Sequence, residues 1–85
     1  MSYRIYLSPR AERGLDGLGG SVYRRLQTAI RTLSSNPRPP GCLKMTASSE
    51  WRIRVGSYRI RYLIDDGSRE LTVTRIAHRR EVYDS

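Results

Sequence analysis

Residues 51–64 read W-R-I-R-V-G-S-Y-R-I-R-Y-L-I, so arginine alternates with apolar residues on both sides of Gly56-Ser57. A period of two predicts β-strands, and a two-residue loop between them predicts a hairpin with a fixed register. In that register the apolar residues form three cross-strand pairs on one face: Val55 with Tyr58, Ile53 with Ile60, and Trp51 with Tyr62. The other face carries two arginine pairs, Arg54 with Arg59 and Arg52 with Arg61. We call these four residues the hairpin arginines.

Like charges directly opposite each other destabilise a pair of strands. The hairpin arginines therefore make most sense if an anion binds to their face. The 85 residues carry a formal net charge of +8, which predicts attraction to RNA, DNA, an anionic membrane or an acidic protein. Of the sixteen basic residues, all but Lys44 are arginine, whose planar fork matches phosphate oxygens in pairs. A GC-rich genome would produce the same ratio.

The rest of the chain predicts a strand and two helices before the hairpin. Residues 3–7 alternate as a short strand, and Ser8-Pro9 begins a helix that Gly19-Gly20 ends. Ser21 is expected to cap a second helix that stops before Pro37. A brief strand is expected at residues 42–45 and the last strand at 71–77. A bulge near Arg75 would turn Ile76 inward and leave Arg75 and Arg79 outward.

This order, β-α-α-β-β-β with one extra short strand, predicts an α+β fold. An N-terminal strand and a helical hairpin precede an antiparallel β-meander, all in a single compact domain of residues 1–85. The helices are expected to cover the Trp51 face and to leave the arginine face open.

Several kinds of site are excluded by the residues present. There is no phosphate-binding loop and no dinucleotide fingerprint, and one histidine with one cysteine cannot form a common zinc site. No metal or cofactor is therefore expected. Asp65 and Asp66 are interpreted as turn residues and the lone Cys42 as structural. No signal peptide and no membrane-spanning apolar run is present, which predicts an intracellular protein without a membrane partner.

Arginine, tyrosine and His78 remain, and this set suits phosphoryl chemistry on RNA. Arginines neutralise the charge that builds on a scissile phosphate, and RNA supplies its own nucleophile, the 2′-hydroxyl. His78 has the best intrinsic pKa for an acid or base near neutrality, and the alternative is a strand-end residue that binds nothing. Tyr83 lies beside Arg79 and Arg80, and packing is as consistent with its position as function is.

Three motifs, in this order, resemble the RelE/ParE superfamily of bacterial type II toxin–antitoxin toxins, and the RelE branch in particular. They are N-P-R-P-P-G at 36–41, Y-R-I-R-Y at 58–62 and I-A-H-R-R-E-V-Y at 76–83. The resemblance implies a cytoplasmic, metal-independent endoribonuclease that cuts mRNA in the ribosomal A site through the 2′-hydroxyl. It also implies a small RelB-like antitoxin, with an acidic or amphipathic segment, that neutralises the toxin and can form a heterotetramer with it.

The resemblance assigns roles to individual residues. Arg59 would stabilise the scissile phosphate, Arg79 would protonate the leaving group, and Tyr83 would orient or deprotonate the 2′-hydroxyl. Because Arg79 and Tyr83 lie closer together than in some relatives, His78 is a second candidate for the acid or base. Further contacts to RNA phosphates are expected from four residues: Arg52, Arg54, Arg61 and Lys44.

Two other functions fit the same sequence. A ParE-like toxin would act on DNA gyrase and would leave the hairpin arginines without an RNA-cleaving role. A non-catalytic basic module would bind nucleic acid in a salt-sensitive way without cleavage or toxicity.

Overall fold

The computed structural model describes residues 2–78, and within that part of the chain it contains two helices and one sheet. The elements, in chain order, are β1 (Arg4–Leu7), α1 (Pro9–Asp16), α2 (Gly20–Ser35), β2 (Leu43–Lys44), β3 (Trp51–Val55), β4 (Tyr58–Asp65) and β5 (Glu70–His78). The strand order is β1-β5-β4-β3-β2. β1 is parallel to β5, and the remaining neighbours are antiparallel. The predicted α+β fold is confirmed, and β2 is the extra short strand.

Local sequence signals predicted one end of each helix correctly. Helix α1 ends at Asp16 with Gly17 as its C-cap, so the prediction that Gly19-Gly20 ends it is wrong, whereas α2 stops at Ser35, before Pro37, as predicted. The backbone N–H of Ala11 donates to Ser8 Oγ at 3.1 Å, so Ser8 caps α1 as predicted, with Pro9 next to it. The prediction that Ser21 caps α2 is wrong. Gly19 is the capping residue, and its carbonyl already accepts a hydrogen bond from the N–H of Tyr23 at 3.2 Å, so Ser21 lies inside the first turn.

Helix α1 approaches β5 very closely at Gly14. A Cβ built on Gly14 would lie 2.4 Å from the carbonyl oxygen of Ile76. Such a distance is far inside van der Waals contact, so only glycine allows the helix to pack at this depth. A glycine inside a helix lowers its intrinsic stability, and the close approach to β5 explains why glycine is nevertheless present at this position.

The core lies between the two helices and one face of the sheet, which we call the covered face. Its buried residues come from both layers: Ala11, Leu15, Leu26, Ile30, Leu33, Ile53, Ile60, Tyr62, Leu71, Val73 and Ile76. Tyr62 is fully buried, and its hydroxyl donates to the carbonyl of Pro37 at 2.8 Å. Burial raises the pKa of this phenol, which therefore stays protonated and holds the proline-rich loop against the sheet.

The predicted bulge is present in β5. The register between β4 and β5 shifts at Arg61 and Tyr62, which leaves Thr74 as the extra residue. Beyond the bulge Arg75 lies opposite Arg61, and Ile76 is only 4% exposed. The shift therefore points Ile76 into the core and Arg75 to the other face, as expected.

Asp66 connects its own turn to two other segments of the chain at one end of the sheet. It accepts a hydrogen bond from the Tyr3 hydroxyl at 2.6 Å and forms an ion pair with Arg38 at 2.9 Å. These two donors, Arg38 first, hold the pKa of Asp66 at about 2. Its neighbour Asp65 accepts from the N–H of Ser68, as a turn residue does.

Candidate nucleic-acid interface

The hairpin register matches the prediction at every pair. Arg54 lies opposite Arg59 and Arg52 opposite Arg61, while Ile53 with Ile60 and Trp51 with Tyr62 face the core. Both helices pack against the covered face through these apolar residues. The hairpin arginines therefore share the second face of the sheet, which we call the open face.

The hairpin arginines differ in exposure. Arg54 is exposed and Arg52 and Arg61 are half-buried, whereas Arg59 is only 4% exposed. The expectation of an open position is wrong for Arg59, because β4 is the central strand and its side chains have neighbours on both sides. Electrostatic interactions are less screened in such surroundings, so the charge of Arg59 acts more strongly on a nearby anion than an exposed charge would.

A fifth arginine extends the basic surface. Because of the bulge, Arg75 on β5 lies opposite Arg61, which in turn lies opposite Arg52. Three arginines thus form a row across three neighbouring strands. The break in alternation predicts that Arg75 points outward, but no motif in the sequence marks Arg75 as a site residue.

The open face also carries an acid that the sequence analysis missed. Glu50 Oε1 accepts a hydrogen bond from Arg61 Nη2 at 2.5 Å, and Glu50 Oε2 accepts one from the hydroxyl of Thr74. A simple signal could have found it. Glu50 continues the alternation of Arg52 and Arg54, so an even-numbered residue just before β3 should lie on their face.

Two predicted site residues lie elsewhere. Lys44 pairs with Trp51 at the edge of the sheet, and its Nζ is 5.7 Å from the centroid of the Trp51 ring. His78 pairs with Tyr58, and the two rings meet edge to face with centroids 5.3 Å apart. Since Trp51 and Tyr58 belong to the covered face, the structure does not bring Lys44 or His78 together with Arg59.

His78 instead lines a cleft of about 500 Å³ between α1 and β5, whose walls also include Arg10 and Arg13. Arg79 and Tyr83 lie outside the described residues. Within residues 2–78 no group of three or more His, Cys, Asp or Glu side chains could hold a metal ion. None of the helices in that part of the chain has the length and apolarity needed to cross a membrane.

Fold and site together define a class: a small α+β domain whose sheet is covered by helices on one side and lined with arginine on the other. A model of the family described as "ParE toxin of type II toxin-antitoxin system, parDE" matches residues 5–83. The chain therefore belongs to this family, within the RelE/ParE superfamily, and is a toxin of a toxin–antitoxin system.

Relatives and solved structures agree with this assignment. A toxin described as RelE1, from Methanocaldococcus jannaschii, is 25% identical over 87 residues, which cover 98% of this chain and 97% of the relative. RelE from Pyrococcus horikoshii, solved in complex with RelB, matches with a TM-score of 0.82 at 22% identity and covers 93% of this chain and 97% of its own. Isolated RelE from Escherichia coli gives 0.80 at 22% identity, covering 98% and 93%. At this identity the two structures establish the fold.

Proposed function

We propose that this toxin is a metal-independent endoribonuclease that cuts mRNA in the ribosomal A site. The observation that carries the proposal is the pairing of Arg54 with Arg59 on the open face, which Arg52 shares. Like charges in these positions cost stability, and a bound phosphate backbone offsets that cost. Similarity to proteins named RelE supports the same conclusion, because resemblance to that branch implies mRNA as the target.

In this mechanism the hairpin arginines act by charge alone. A guanidinium is fully protonated near neutral pH and has no site to accept a proton, so Arg52 and Arg54 hold phosphates and cannot serve as bases. Arg59, at 4% exposure, lies where its charge is least screened. It is the residue best placed to stabilise the extra negative charge that builds on the scissile phosphate.

The covalent step uses the RNA's own hydroxyl. The 2′-oxygen attacks the neighbouring phosphorus and loses its proton, and the bond from phosphorus to the 5′-oxygen breaks. The products are a 2′,3′-cyclic phosphate and a 5′-hydroxyl that gains a proton. We assign the first proton transfer to Tyr83 and the second to Arg79, as the resemblance implies. His78 is the alternative acid or base, and its position on the covered face makes it our second choice.

We further propose that a RelB-like antitoxin neutralises the toxin in the cytoplasm. Similar structures from Pyrococcus horikoshii and Methanococcus jannaschii were solved as complexes of RelE with RelB. A net charge of +8 favours an antitoxin segment that is acidic or amphipathic. The toxin should therefore copurify with the product of the neighbouring gene at moderate salt, and separate elution would argue against this partner.

The test is to induce the toxin without its antitoxin and map the 5′ ends of cellular mRNA. Cuts within codons of translated messages are expected, and Arg59→Ala should reduce cleavage about 10²–10³-fold, as loss of one charge-stabilising donor does elsewhere. Arg31→Ala, which removes an exposed arginine from α2, is the matched control and should cut normally. Intact mRNA in growth-arrested cells would refute the proposal.

The match to the ParE family favours one second candidate, inhibition of DNA gyrase. In that case induction should produce gyrase-linked DNA breaks while mRNA stays intact. The same induction experiment therefore separates the two candidates.

A further inference from the structure

Arg61 is the middle member of the row of three arginines on β3, β4 and β5. Arg52 lies directly opposite on one side, and Arg75 lies directly opposite on the other. The middle charge of such a row is repelled from both sides, so a nearby negative charge stabilises this arginine more than it would the other two. Glu50 supplies that charge from the residue before β3.

The contacts around Glu50 hold it firmly. Its Oε1 is 2.5 Å from Arg61 Nη2, and the side chains of Arg61 and Glu50 are only 21% and 18% exposed. The Thr74 hydroxyl lies near both Glu50 Oε2 and, at 3.1 Å, the carbonyl of Arg61. It has one proton to donate, and the charged carboxylate is the stronger acceptor. Glu50 therefore bridges β4 to the bulge in β5.

From this arrangement we infer that Glu50 is a positioning residue. It neutralises Arg61, so that Arg61 does not bind phosphate and RNA binds at the other hairpin arginines. The inference rests on the proposed RNA-directed function. With Glu50 in place, the Arg61 ion pair has no net charge, and its carboxylate repels an approaching phosphate. The strongest remaining attraction lies at Arg54 and Arg59, further towards the hairpin turn.

Two hairpin arginines that face each other directly are thus expected to behave differently. Arg52 binds an RNA phosphate, whereas Arg61 is already neutralised by Glu50. Salt dependence distinguishes the two cases, because log K falls as log salt rises and each neutralised phosphate on a single strand steepens this fall by about 0.7; slopes below are given as this steepness. A residue with a purely structural role would not change this slope.

The experiment measures binding of the full-length toxin to a 2′-O-methyl RNA oligonucleotide, which lacks the attacking hydroxyl and is not cut. Fluorescence anisotropy at about 50 to 300 mM KCl gives the slope for each protein. Arg52→Gln should lower the slope by about 0.7, and Arg61→Gln should leave it unchanged. Glu50→Gln frees Arg61 and should raise the slope by about 0.7, and the double variant of Glu50 and Arg61 should return it to the wild-type value.

Control variants separate this effect from unfolding and from total charge. Glu12→Gln makes the same chemical change on an exposed residue of α1 and should leave the slope unchanged. Circular dichroism shows which variants fold. If Glu50→Gln does not fold, the contrast between Arg52→Gln and Arg61→Gln decides the question.

A decrease of about 0.7 with Arg61→Gln, without an increase in Glu50→Gln, would overturn the inference and make Arg61 an ordinary phosphate contact. Wild-type protein that shows no salt-dependent RNA binding would instead count against the proposed function itself, and the inference would fall with it.

Discussion

The two faces of the hairpin formed by β3 and β4 share one backbone and one register. The side chains of the covered face stabilise the fold, whereas the opposed charges of the open face destabilise it. On the covered face Ile53, Ile60 and Tyr62 pack against the helices and are at most 8% exposed. On the open face the hairpin arginines stand in opposed pairs. Because side chains alternate along a strand, a one-residue offset separates the residues that stabilise the fold from those suited to bind an anion.

The magnitudes show why one hairpin can carry both sets. Burying a side chain such as Ile60 stabilises by about 1.5–3 kcal/mol, whereas an opposed pair of like charges costs about 0.2–1 kcal/mol. The covered face therefore outweighs the repulsion on the open face. Changes on the covered face should cause the larger losses of stability and leave RNA binding intact, whereas changes to the phosphate-binding arginines of the open face should weaken RNA binding with smaller effects on stability.

The largest effect is expected from Ile60→Ala, which empties a fully buried position on the covered face. Unfolding in urea should show a loss of about 2–5 kcal/mol, from lost burial and the cavity left behind. Leu63→Ala, on the same strand but 38% exposed on the open face, is the matched control and should lose far less. Equal losses at the two positions would break the distinction between the faces.

The next largest effect is expected from Gly14→Ala, because the new Cβ would lie 2.4 Å from the carbonyl oxygen of Ile76. Pushing α1 away from β5 should cost about 1–3 kcal/mol in the free energy of unfolding. Gly17→Ala is the control, since a Cβ there meets nothing within 4 Å. A Gly14→Ala protein as stable as wild type would show that α1 can shift without loss of packing.

On the open face, Arg54→Thr should stabilise the protein while weakening RNA binding. Removing one of two opposed charges should add about 0.2–1 kcal/mol to the free energy of unfolding, measured in urea. Arg61→Thr should have the opposite sign, because it leaves Glu50 half-buried without its ion pair. If Arg54→Thr destabilised the protein, the claim that the opposed arginines lower the free energy of unfolding would be wrong.

The smallest effect concerns Asp66, which follows β4 at one end of the sheet. Its hydrogen bonds from Arg38 and Tyr3 lower its pKa from 3.8 to about 2 in the folded protein. A lowered folded pKa stabilises above the unfolded value, so this contribution is present near neutrality and is lost as the pH falls from 3.8 towards 2. Wild type should thus be slightly more stable than Asp66→Asn at pH 6, with most of the difference lost by pH 2. A difference that persisted at low pH would rule out this linkage.

Sequence patterns predicted the features that depend on near neighbours. The hairpin register follows from a two-residue loop, the start of α1 from Ser8 and Pro9, and the bulge from the break in alternation before Ile76. The candidate interface was predicted in the same way, because the opposed arginines follow from that register. Glu50 could have been found by extending the alternation one step towards the N-terminus.

The sequence by itself determined which residues share a face, since strand alternation and a tight turn act over a few residues. Only the tertiary structure decided how each side chain on that face is surrounded. Burial of Arg59 depends on β5 and β3 lying on either side of β4. The hydrogen bond from Thr74 to Glu50 and the depth of α1 at Gly14 likewise join residues distant in the chain. These contacts depend on long-range packing of strands and helices, which no local pattern specifies.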